Sequence, residues 1–353
     1  MEPITHLLTG GCLGRLGFNR KTALATATMV IAAEVPDVDI VLAFRDRVIA
    51  FAHHRGFTHT LLGVPFDAAL ALGLIFLYWR VWGHKRVIVR EGDSPKPWQQ
   101  PRWGLLYLFA CIAALSHILL DFTNNYGVRP FSPFDPKWYS WDIVFIYEPL
   151  IWAALVIGLA APALFRLINE EVGSRSRRMP GGRGGAIFAC ACIVALWTVR
   201  DFEHRRAVGD MQALLYKDEE PLRVRANPYP IDPFEWHGVV ETKDFFALVP
   251  GNSSSQEVDP QGRMRIFYKP AETPVTLAAK KSYLGRVFLD WARFPMVEVE
   301  QHDDPIHTYT VRLYDLRYSY PDRTPRALGA VVELDHNLKV VDQYFESERS
   351  GKD

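Results

Sequence analysis

Four long apolar runs lie in the first 200 residues, and they dictate most of what the chain can fold into. They cover residues 60–82, 104–122, 145–168 and 185–199. About 20 apolar residues cross the hydrocarbon core of a bilayer as a helix, so we predict four transmembrane helices. Residues 201–353 lack such runs and are typical of a soluble domain. The mean hydropathy of -0.03 averages these two unlike parts.

Two half-polar pieces precede these runs, Ile4–Leu16 and Lys21–Ala33. Both are compatible with helices, and a helical hairpin would return the chain to the side from which it started. That arrangement places His6 at the same level as Asp37 and Asp39. An alternative is a cleaved signal peptide whose cleavage site follows the second piece.

The distribution of basic residues predicts an orientation in the membrane. Residues 80–102 and 166–183 are rich in Lys and Arg, whereas residues 124–142 contain few. Basic loops are retained on the cytoplasmic side, so the opposite helix ends and the C-terminal domain are predicted to face outward. Arg45, Arg47 and Arg55 would then lie on the outer side, which argues against this orientation.

Overall charge and cysteine content exclude several other classes of protein. Lys plus Arg and Asp plus Glu both number 40, so net charge gives no reason to expect a nucleic-acid partner. The four cysteines lie in apolar segments and form no CxxC pair. Neither a disulfide framework nor a zinc ribbon is therefore expected, and buried thiols are the simplest explanation.

The last part of the chain predicts a mixture of helices and strands. A polar helix is expected over Asp201–Lys217 and an amphipathic one over Thr276–Phe294. Strand-like alternation occurs at residues 264–268, 297–300 and 309–313, and two further strands are expected at residues 330–334 and 338–345. Asp335–Asn337 separates the last two as a hairpin turn. The predicted fold is thus an α-helical multispan membrane domain, residues 1–200, followed by a small soluble α+β domain, residues 201–353.

A histidine-rich stretch, His53–His59, stands immediately before the first apolar run and contains three imidazoles within seven residues. Two pairs of ionisable residues also border apolar segments. Asp37 and Asp39 lie upstream of the stretch, and His117 and Asp121 end the second run. Ionisable residues at the ends of membrane-length segments are costly to place there, so each is a candidate functional residue.

Helix geometry predicts that these residues converge. His117 and Asp121 are four residues apart, so they project from one helix face about 6 Å apart. Counted from Gly104 at about 1.5 Å per residue, Asp121 lies about 25 Å across the bilayer, at the opposite interface. His59 begins the preceding span at that same interface. Two antiparallel spans therefore bring these side chains to one end of the bundle.

Imidazole and carboxylate groups in this combination favour a divalent metal ion, with zinc first and manganese or magnesium as alternatives. The candidate ligands are His6, Asp37, Asp39, His53, His54, His59, His117 and Asp121, with the choice between positions 53 and 54 left open. These exceed the three or four protein ligands of a single zinc ion. Either two ions or one ion with outer carboxylates would account for the surplus.

Each group taken alone has an explanation without a metal. His59 can be an interfacial residue at a helix start, and Asp37 with Asp39 can form a turn. His117 and Asp121 can be a hydrogen-bonded structural pair. All of these explanations would have to hold at one end of one bundle, which favours the metal site.

Other ionisable residues carry weaker signals. Acidic side chains near or inside the spans can line the cavity or make buried polar contacts, namely Asp67, Asp142 and Glu148. The histidines of the C-terminal domain lack ligand spacing and are predicted to lie at the surface, namely His204, His237, His302, His307 and His336.

Together the motifs resemble the YdjM/YbcI/YfhP-type predicted inner-membrane metal-dependent hydrolases. They are His6, Pro36-Asp37-x-Asp39, His54-Arg55-Gly56-x-Thr58-His59 and Ser116-His117-x-x-x-Asp121 followed by Thr123–Gly127. The resemblance covers about residues 1–165. It implies a bacterial plasma-membrane location, metal dependence and hydrolase activity. The positions that match as ligands are His6, Asp37, Asp39, His54, His59, His117 and Asp121.

The function predicted from these observations is a membrane-bound hydrolase that uses a metal-activated water on an ester or phosphoester. A lipid or lipid-linked substrate is expected, because the site lies where lipid headgroups reside. Asp39 or Asp121 would act as general base, and Arg55 would bind a phosphate bidentately. The alternatives are a non-enzymatic metal-binding scaffold and a transporter. A transporter usually places its polar residues at the bilayer midplane, which disfavours it here.

Overall fold

The computed structural model of the protein describes residues 1–83, 100–171, 182–319 and 328–346. The chain divides into two compact units. The first contains Met1–Asp39 and Arg55–Arg200, and the second contains Ile40–His54 and Asp201–Asp353. The segment Ile40–His54 thus groups with the C-terminal residues although it lies between two parts of the first unit. The boundary at residue 200 remains a prediction.

The first unit is helical. Its helices are α1 (Pro3–Arg15), α2 (Ala25–Glu34), α4 (Val64–Tyr78), α5 (Trp103–Thr123), α6 (Pro149–Glu171) and α7 (Arg183–Gln212), the last of which continues into the second unit. A π-helical turn, Trp79–Gly83, extends α4. Helix α3 (Arg47–His53) belongs to the second unit.

Helices α1 and α2 lie where the sequence predicts the two half-polar pieces, and they pack closely against each other. Gly10 and Gly14 make this approach possible, because four-residue spacing puts both on one face of α1. A Cβ atom on Gly10 would stand 2.6 Å from the carbonyl oxygen of Met29. One on Gly14 would stand 2.7 Å from the Cα atom of Thr26. Any side chain at either position would therefore separate the two helices.

Three helices of the described residues are long and apolar enough to cross a membrane: Val64–Trp82, Trp103–Thr123 and Arg183–Gln212. The remaining predicted run corresponds to α6, whose apolar part, Pro149–Pro162, is shorter. The number of four spans therefore remains a prediction. Residues 84–99 and 172–181, with most of the basic residues used to predict orientation, lie outside the described residues.

Helices α4 and α5 are antiparallel neighbours. Val64, at the start of α4, packs with Ala114 and Ile118 in the second half of α5. At the other end, the Phe76 ring lies 5.2 Å from that of Trp103, the first residue of α5. Between these ends, buried alanines of both helices pack with α2 to form the core of the bundle. This packing brings the start of α4 and the end of α5 to the same level.

The second unit contains two antiparallel sheets. The first is formed by β1 (Arg223–Pro228), β2 (Glu235–Glu241), β3 (Phe245–Asn252), β4 (Glu257–Val258) and β5 (Arg265–Tyr268), with β3 paired to β2, β4 and β5. The second has the order β6 (Pro295–Gln301), β7 (Tyr309–Asp315), β8 (Ala330–Leu334) and β9 (Val340–Phe345). The prediction of a multispan helical region followed by a smaller α+β region is confirmed.

Three details of the C-terminal prediction need correction. The helix expected over Thr276–Phe294 is two helices, α8 (Pro274–Lys281) and α9 (Tyr283–Trp291). They separate at Ser282, whose hydroxyl accepts the Gly285 N–H at 2.9 Å and caps α9. The polar helix expected from Asp201 is the end of α7, and strands β1 to β3 were not predicted.

His237 is also not at the surface. It is buried in β2, and its Nε2 lies 3.3 Å from the carbonyl oxygen of Leu316. It lies within the central five residues of β2, all of which are buried. The pKa of this imidazole is lowered to about 4, chiefly by burial.

Candidate metal centre

Four of the predicted ligands meet at one point. Asp37 comes from the 3₁₀ segment Val35–Phe44, and His59 ends a short 3₁₀ turn just before α4. His117 and Asp121 lie on successive turns of α5. One donor atom from each of the four lies within 4.8 Å of the others, so together they can hold a metal ion.

The separations between donor atoms match those of a tetrahedral site. His59 Nε2 and His117 Nε2 lie 3.0 Å apart. Asp37 Oδ1 lies 3.4 Å from the first of these atoms and 3.5 Å from the second. Asp121 Oδ2 lies 3.3 and 3.5 Å from the same two atoms. A tetrahedron with bonds of about 2.0–2.2 Å has edges of about 3.3–3.6 Å. The four distances between a carboxylate oxygen and an imidazole nitrogen fall in this range, and the 3.0 Å between the two nitrogens is shorter. The donors are therefore close to the spacing that a common central ion requires.

Outer hydrogen bonds orient both imidazoles. His117 Nδ1 lies 2.7 Å from the carbonyl oxygen of Ala33, and a carbonyl can only accept, so the proton resides on Nδ1. This leaves Nε2 as the lone-pair donor that faces the centre. His59 Nδ1 lies 3.2 Å from the Thr58 hydroxyl, and its Nε2 also faces the centre. Such outer contacts are typical of metal-binding histidines.

The electrostatic environment favours the ligand forms of these groups. Burial lowers the pKa of His59 to about 3, against the opposing hydrogen bond with Asp37, so the imidazole is neutral. Burial raises the pKa of Asp37, but its close contacts with the His117 and His59 rings outweigh burial and bring that pKa well below its usual range. A neutral imidazole and an ionised carboxylate are the forms in which these side chains bind metals.

Arg55 holds the outer oxygen of Asp121. Its Nη2 donates to Asp121 Oδ1 at 2.8 Å, which leaves Oδ2 turned toward the histidines. Its Nη1 donates to the Gly127 carbonyl at 2.8 Å and lies 3.4 Å from Asn124 Oδ1. The guanidinium also lies 4.7 Å above the Tyr126 ring. Three residues of the Thr123–Gly127 motif therefore contact the guanidinium of Arg55.

Asp39 lies behind the four donors. Its Oδ2 accepts the backbone N–H of Arg55 at 2.8 Å and lies 3.9 Å from His59 Nδ1. Arg55 itself has a φ of 53°, a left-handed conformation that non-glycine residues seldom adopt. Asp39 thus lies beside His59 and is not one of the four residues that could together hold an ion.

His6 borders the site from α1. Its ring stacks on that of His117 with centroids 3.6 Å apart, and its Nε2 lies 3.4 Å from Asp121 Oδ1. Within the described residues neither ring nitrogen has a hydrogen-bond partner, although the side chain is completely buried. The amino nitrogen of Met1 also contacts Asp121 Oδ1.

The other sequence candidates are placed elsewhere. His53 is the exposed last residue of α3 and His54 follows it, and both belong to the second unit. Asp67 and Asp142 are buried outside the four-residue group. Glu148 forms a buried ion pair with Arg200 at 2.9 Å, a partner that sequence reasoning missed. The signal was available, because Arg200 directly follows an apolar run.

Comparison with known proteins adds the family. A family model described as the YdjM inner membrane protein matches residues 1–207. The chain belongs to this family. A second model, the YfhP C-terminal alpha/beta plait domain, matches residues 274–352. The resemblance noted from the motifs is thereby confirmed, and the protein is a membrane protein with helices capable of spanning the bilayer.

A full-length relative shares both parts. The uncharacterized protein YfhP of Bacillus subtilis (strain 168) is 24% identical over 358 residues, which cover 98% of this chain and 94% of the relative. No solved structure matches the chain. All four clustered donors fall inside the family match.

Proposed function

We propose that this protein is a membrane-bound metal-dependent hydrolase whose ion is held by Asp37, His59, His117 and Asp121. The observation that carries the proposal is the spacing of their donor atoms, 3.0–3.5 Å along the five measured edges of a tetrahedron. A chance cluster of polar side chains has no reason to present one donor atom each toward a shared centre.

Charge balance supports the same conclusion. Asp37, Asp39 and Asp121 bring three carboxylates to the site, and Arg55 is the cation that pairs with the last of them. Buried charge is costly unless it is compensated. The Met1 amino group also contacts Asp121. One negative charge remains if that amine is protonated and two if it is neutral, and a divalent cation would compensate them.

The donor set favours zinc over magnesium or manganese. Two imidazoles and two carboxylates in tetrahedral array are typical zinc ligands, whereas magnesium prefers six oxygens in an octahedron. His6 and Asp121 Oδ1 are also close, yet within the described residues the four donors form the one group of metal-binding size. We therefore assign a single ion. His6 lies beside the site and is not assigned as a ligand.

A bound divalent ion supplies Lewis acidity, which acidifies water and polarises an ester or phosphoester oxygen. Asp39 is not among the four donors and lies 3.9 Å from Nδ1 of His59, on the side of the ring that faces away from the ion. We therefore assign to it the role of supporting His59. Arg55 does not reach outward for a phosphate, because its guanidinium is engaged with Asp121 and Gly127. Its proposed role is to orient Asp121.

The location of the site supports a lipid or lipid-linked substrate. His59 precedes the span that starts at Val64, and Asp121 lies two residues before the span end at Thr123. Lipid headgroups occupy this depth of the bilayer, so an ester at the headgroup is the nearest substrate. We assign the site and the C-terminal domain to the outer face of the inner membrane of a bacterium.

One observation favours a structural metal scaffold as the second candidate. Four protein donors form a closed site, whereas catalytic zinc usually keeps one position for water. His59, His117 and Asp121 are fully buried, and the side chain of Asp37 is 17% exposed. An enzyme would therefore have to open the site at Asp37.

The test begins with elemental analysis of the protein purified in detergent, where we expect one zinc per chain. His59→Ala and Asp121→Ala should each remove most of it. His53→Ala is the matched control, because that exposed imidazole lies outside the cluster, and it should leave the metal unchanged. Equal metal content in all four proteins would eliminate the metal site.

Activity is then screened on phosphatase, phospholipase and esterase substrates with and without chelator. Turnover that disappears with the chelator and returns with zinc supports the hydrolase. Stoichiometric metal without turnover on any of the substrates supports the scaffold. A reporter fused at Asp353 should report an outer location, and a cytoplasmic signal would reverse the orientation.

A further inference from the structure

A segment of the second unit interrupts the sequence between two of the four donors, Asp37 and His59. The chain passes into the second unit after Asp39 and returns to the first unit at Arg55. The intervening segment, Ile40–His54, is called the tether here. Two of the four donors come from opposite sides of it, since Asp37 precedes the tether and His59 follows it.

The tether is anchored within the second unit by one aromatic side chain. Phe51 on α3 has ring contacts with Trp291 of α9 at 5.4 Å and with Phe345 of β9 at 5.0 Å. The Phe288 ring lies 6.4 Å away. All three partners fall within the plait-domain match, residues 274–352. Asp46 caps α3 by accepting the N–H groups of Val48 and Ile49, which stabilises the helix that presents Phe51.

Both ends of the tether are fixed at the metal site. Asp39, just before it, and Arg55, just after it, are joined by the 2.8 Å hydrogen bond from the Arg55 N–H to Asp39 Oδ2. Arg55 then orients Asp121, and Asp39 lies 3.9 Å from the ring of His59. Any change in the path of the tether therefore acts first on the two groups that support the donors.

We propose that the plait domain positions the metal centre through the tether, with Phe51 as the positioning residue. Anchoring α3 restricts the conformations open to the segment between the two groups of ligands, so the site is preorganised before the ion binds. This assigns to the C-terminal domain a role in metal affinity that its sequence, which has no ligand cluster of its own, does not suggest. The inference rests on the metal site of the proposed function.

The test compares Phe51→Ala with Phe44→Ala in the full-length protein in detergent. Both substitutions remove a phenyl ring from the same tether, but Phe44 is 92% exposed. Affinity for Co²⁺ is measured by competition with a chelator, and the visible spectrum of the ion reports its coordination. Loss of outer support typically lowers metal affinity about 10–100-fold. We expect at least a tenfold loss with a changed spectrum for Phe51→Ala, and less than a twofold change for Phe44→Ala.

Two further variants exclude a merely structural effect. Phe51→Tyr keeps the ring and should restore wild-type affinity and spectrum. Phe345→Ala removes the contact from the plait side, so it should mimic Phe51→Ala, and the double variant should bind no worse than the weaker single one. If Phe51→Ala fails to fold, Phe345→Ala and its comparison with Phe44→Ala decide the question.

The outcomes separate the two proposals. Wild-type protein that takes up no Co²⁺ contradicts the metal site itself. Wild-type protein that binds one Co²⁺, with Phe51→Ala or Phe345→Ala equal to it while hydrogen exchange shows α3 released, overturns the positioning role alone. Additive losses in the double variant would also overturn it, because the two rings would then act independently.

Discussion

Two buried carboxylates, one in each unit, are compensated in opposite ways. Asp315 in the second unit accepts the N–H of Arg293 at 2.6 Å, the N–H of Arg317 at 2.9 Å and the Arg317 guanidinium at 2.8 Å. Burial raises the pKa of Asp315, but Arg317 and the backbone donors outweigh burial and lower it. Asp121 in the first unit has Arg55 on one oxygen, while its Oδ2 accepts no hydrogen bond within the described residues.

Asp315 belongs to an ion pair that the chain completes by itself, whereas Asp121 belongs to a group that could hold a metal ion. Asp315 obtains every partner it needs from the chain itself. The inner oxygen of Asp121 instead faces two imidazole nitrogens that are oriented by their own outer contacts. Buried polar atoms without partners are rare in folded proteins and require an explanation. The metal ion of the proposed function would supply one, since the four residues could hold it.

The largest change in stability is expected at Asp315, whose buried charge is compensated by the chain alone. Asp315→Ala leaves the Arg317 charge buried without its carboxylate, which should cost about 3–5 kcal/mol of the unfolding free energy of the second unit. Hydrogen exchange of β6 and β7 amides measures it, with and without chelator. Replacing both residues by apolar ones should recover much of the loss. A loss of unfolding free energy under about 1 kcal/mol would contradict the prediction, because the pair would then stabilise the unit no more than a surface ion pair does.

The next effect concerns the ion. Zinc at 100 times its dissociation constant should stabilise the first unit by about 2.7 kcal/mol relative to chelated protein. Protection of amides near the end of α5 measures this gain. Amides of β2 and β3 in the second unit serve as the internal reference and should not respond. Equal protection in both places would remove the contrast between the two carboxylates.

A smaller, pH-dependent effect is expected from His237. Its pKa is about 4 in the folded protein and about 6.5 in an unfolded chain. Below pH 6.5 the unfolded chain takes up a proton that the folded one does not, so stability falls by about 1.4 kcal/mol per pH unit until about pH 4. Above pH 6.5 the contribution is fully present. Exchange of β2 amides over this range provides the measurement.

His237→Gln is the control for that experiment, because an amide can still donate to the Leu316 carbonyl but does not titrate. The slope between pH 6.5 and 4 should become flatter in this variant. An unchanged slope would assign the pH dependence to other groups of the second unit.

Much of the metal site could be predicted, because a helix converts sequence spacing into position. Two antiparallel spans with fixed rise bring His59 to the level of His117 and Asp121, and the structure has the donor atoms of His59 and Asp121 3.3 Å apart. The strands near the C-terminus were predictable for a similar reason. Ala330–Leu334 is followed by a recognisable turn at Asp335–Asn337, and it forms β8 as expected.

The rest depends on packing that local patterns do not encode. His53 and His54 stand within six residues of His59, yet they belong to another unit because Phe51 is captured by the plait domain. The contacts of Arg55 could not be predicted either, since its partners in residues 124–127 are distant in sequence. Strands β1 to β3 could not be predicted from alternation, because their burial patterns are nearly continuous and do not distinguish two faces.

The closeness of α1 and α2 has a consequence for how variants of this protein would be interpreted. Gly10 and Gly14 touch no donor atom, but a single added methyl group at either would force α1, and His6 with it, away from its neighbour. A genetic screen for loss of function would therefore rank these two glycines beside the ligands. Substitutions there would be harmful because the two helices are too close for a side chain. Neither glycine would need a chemical role.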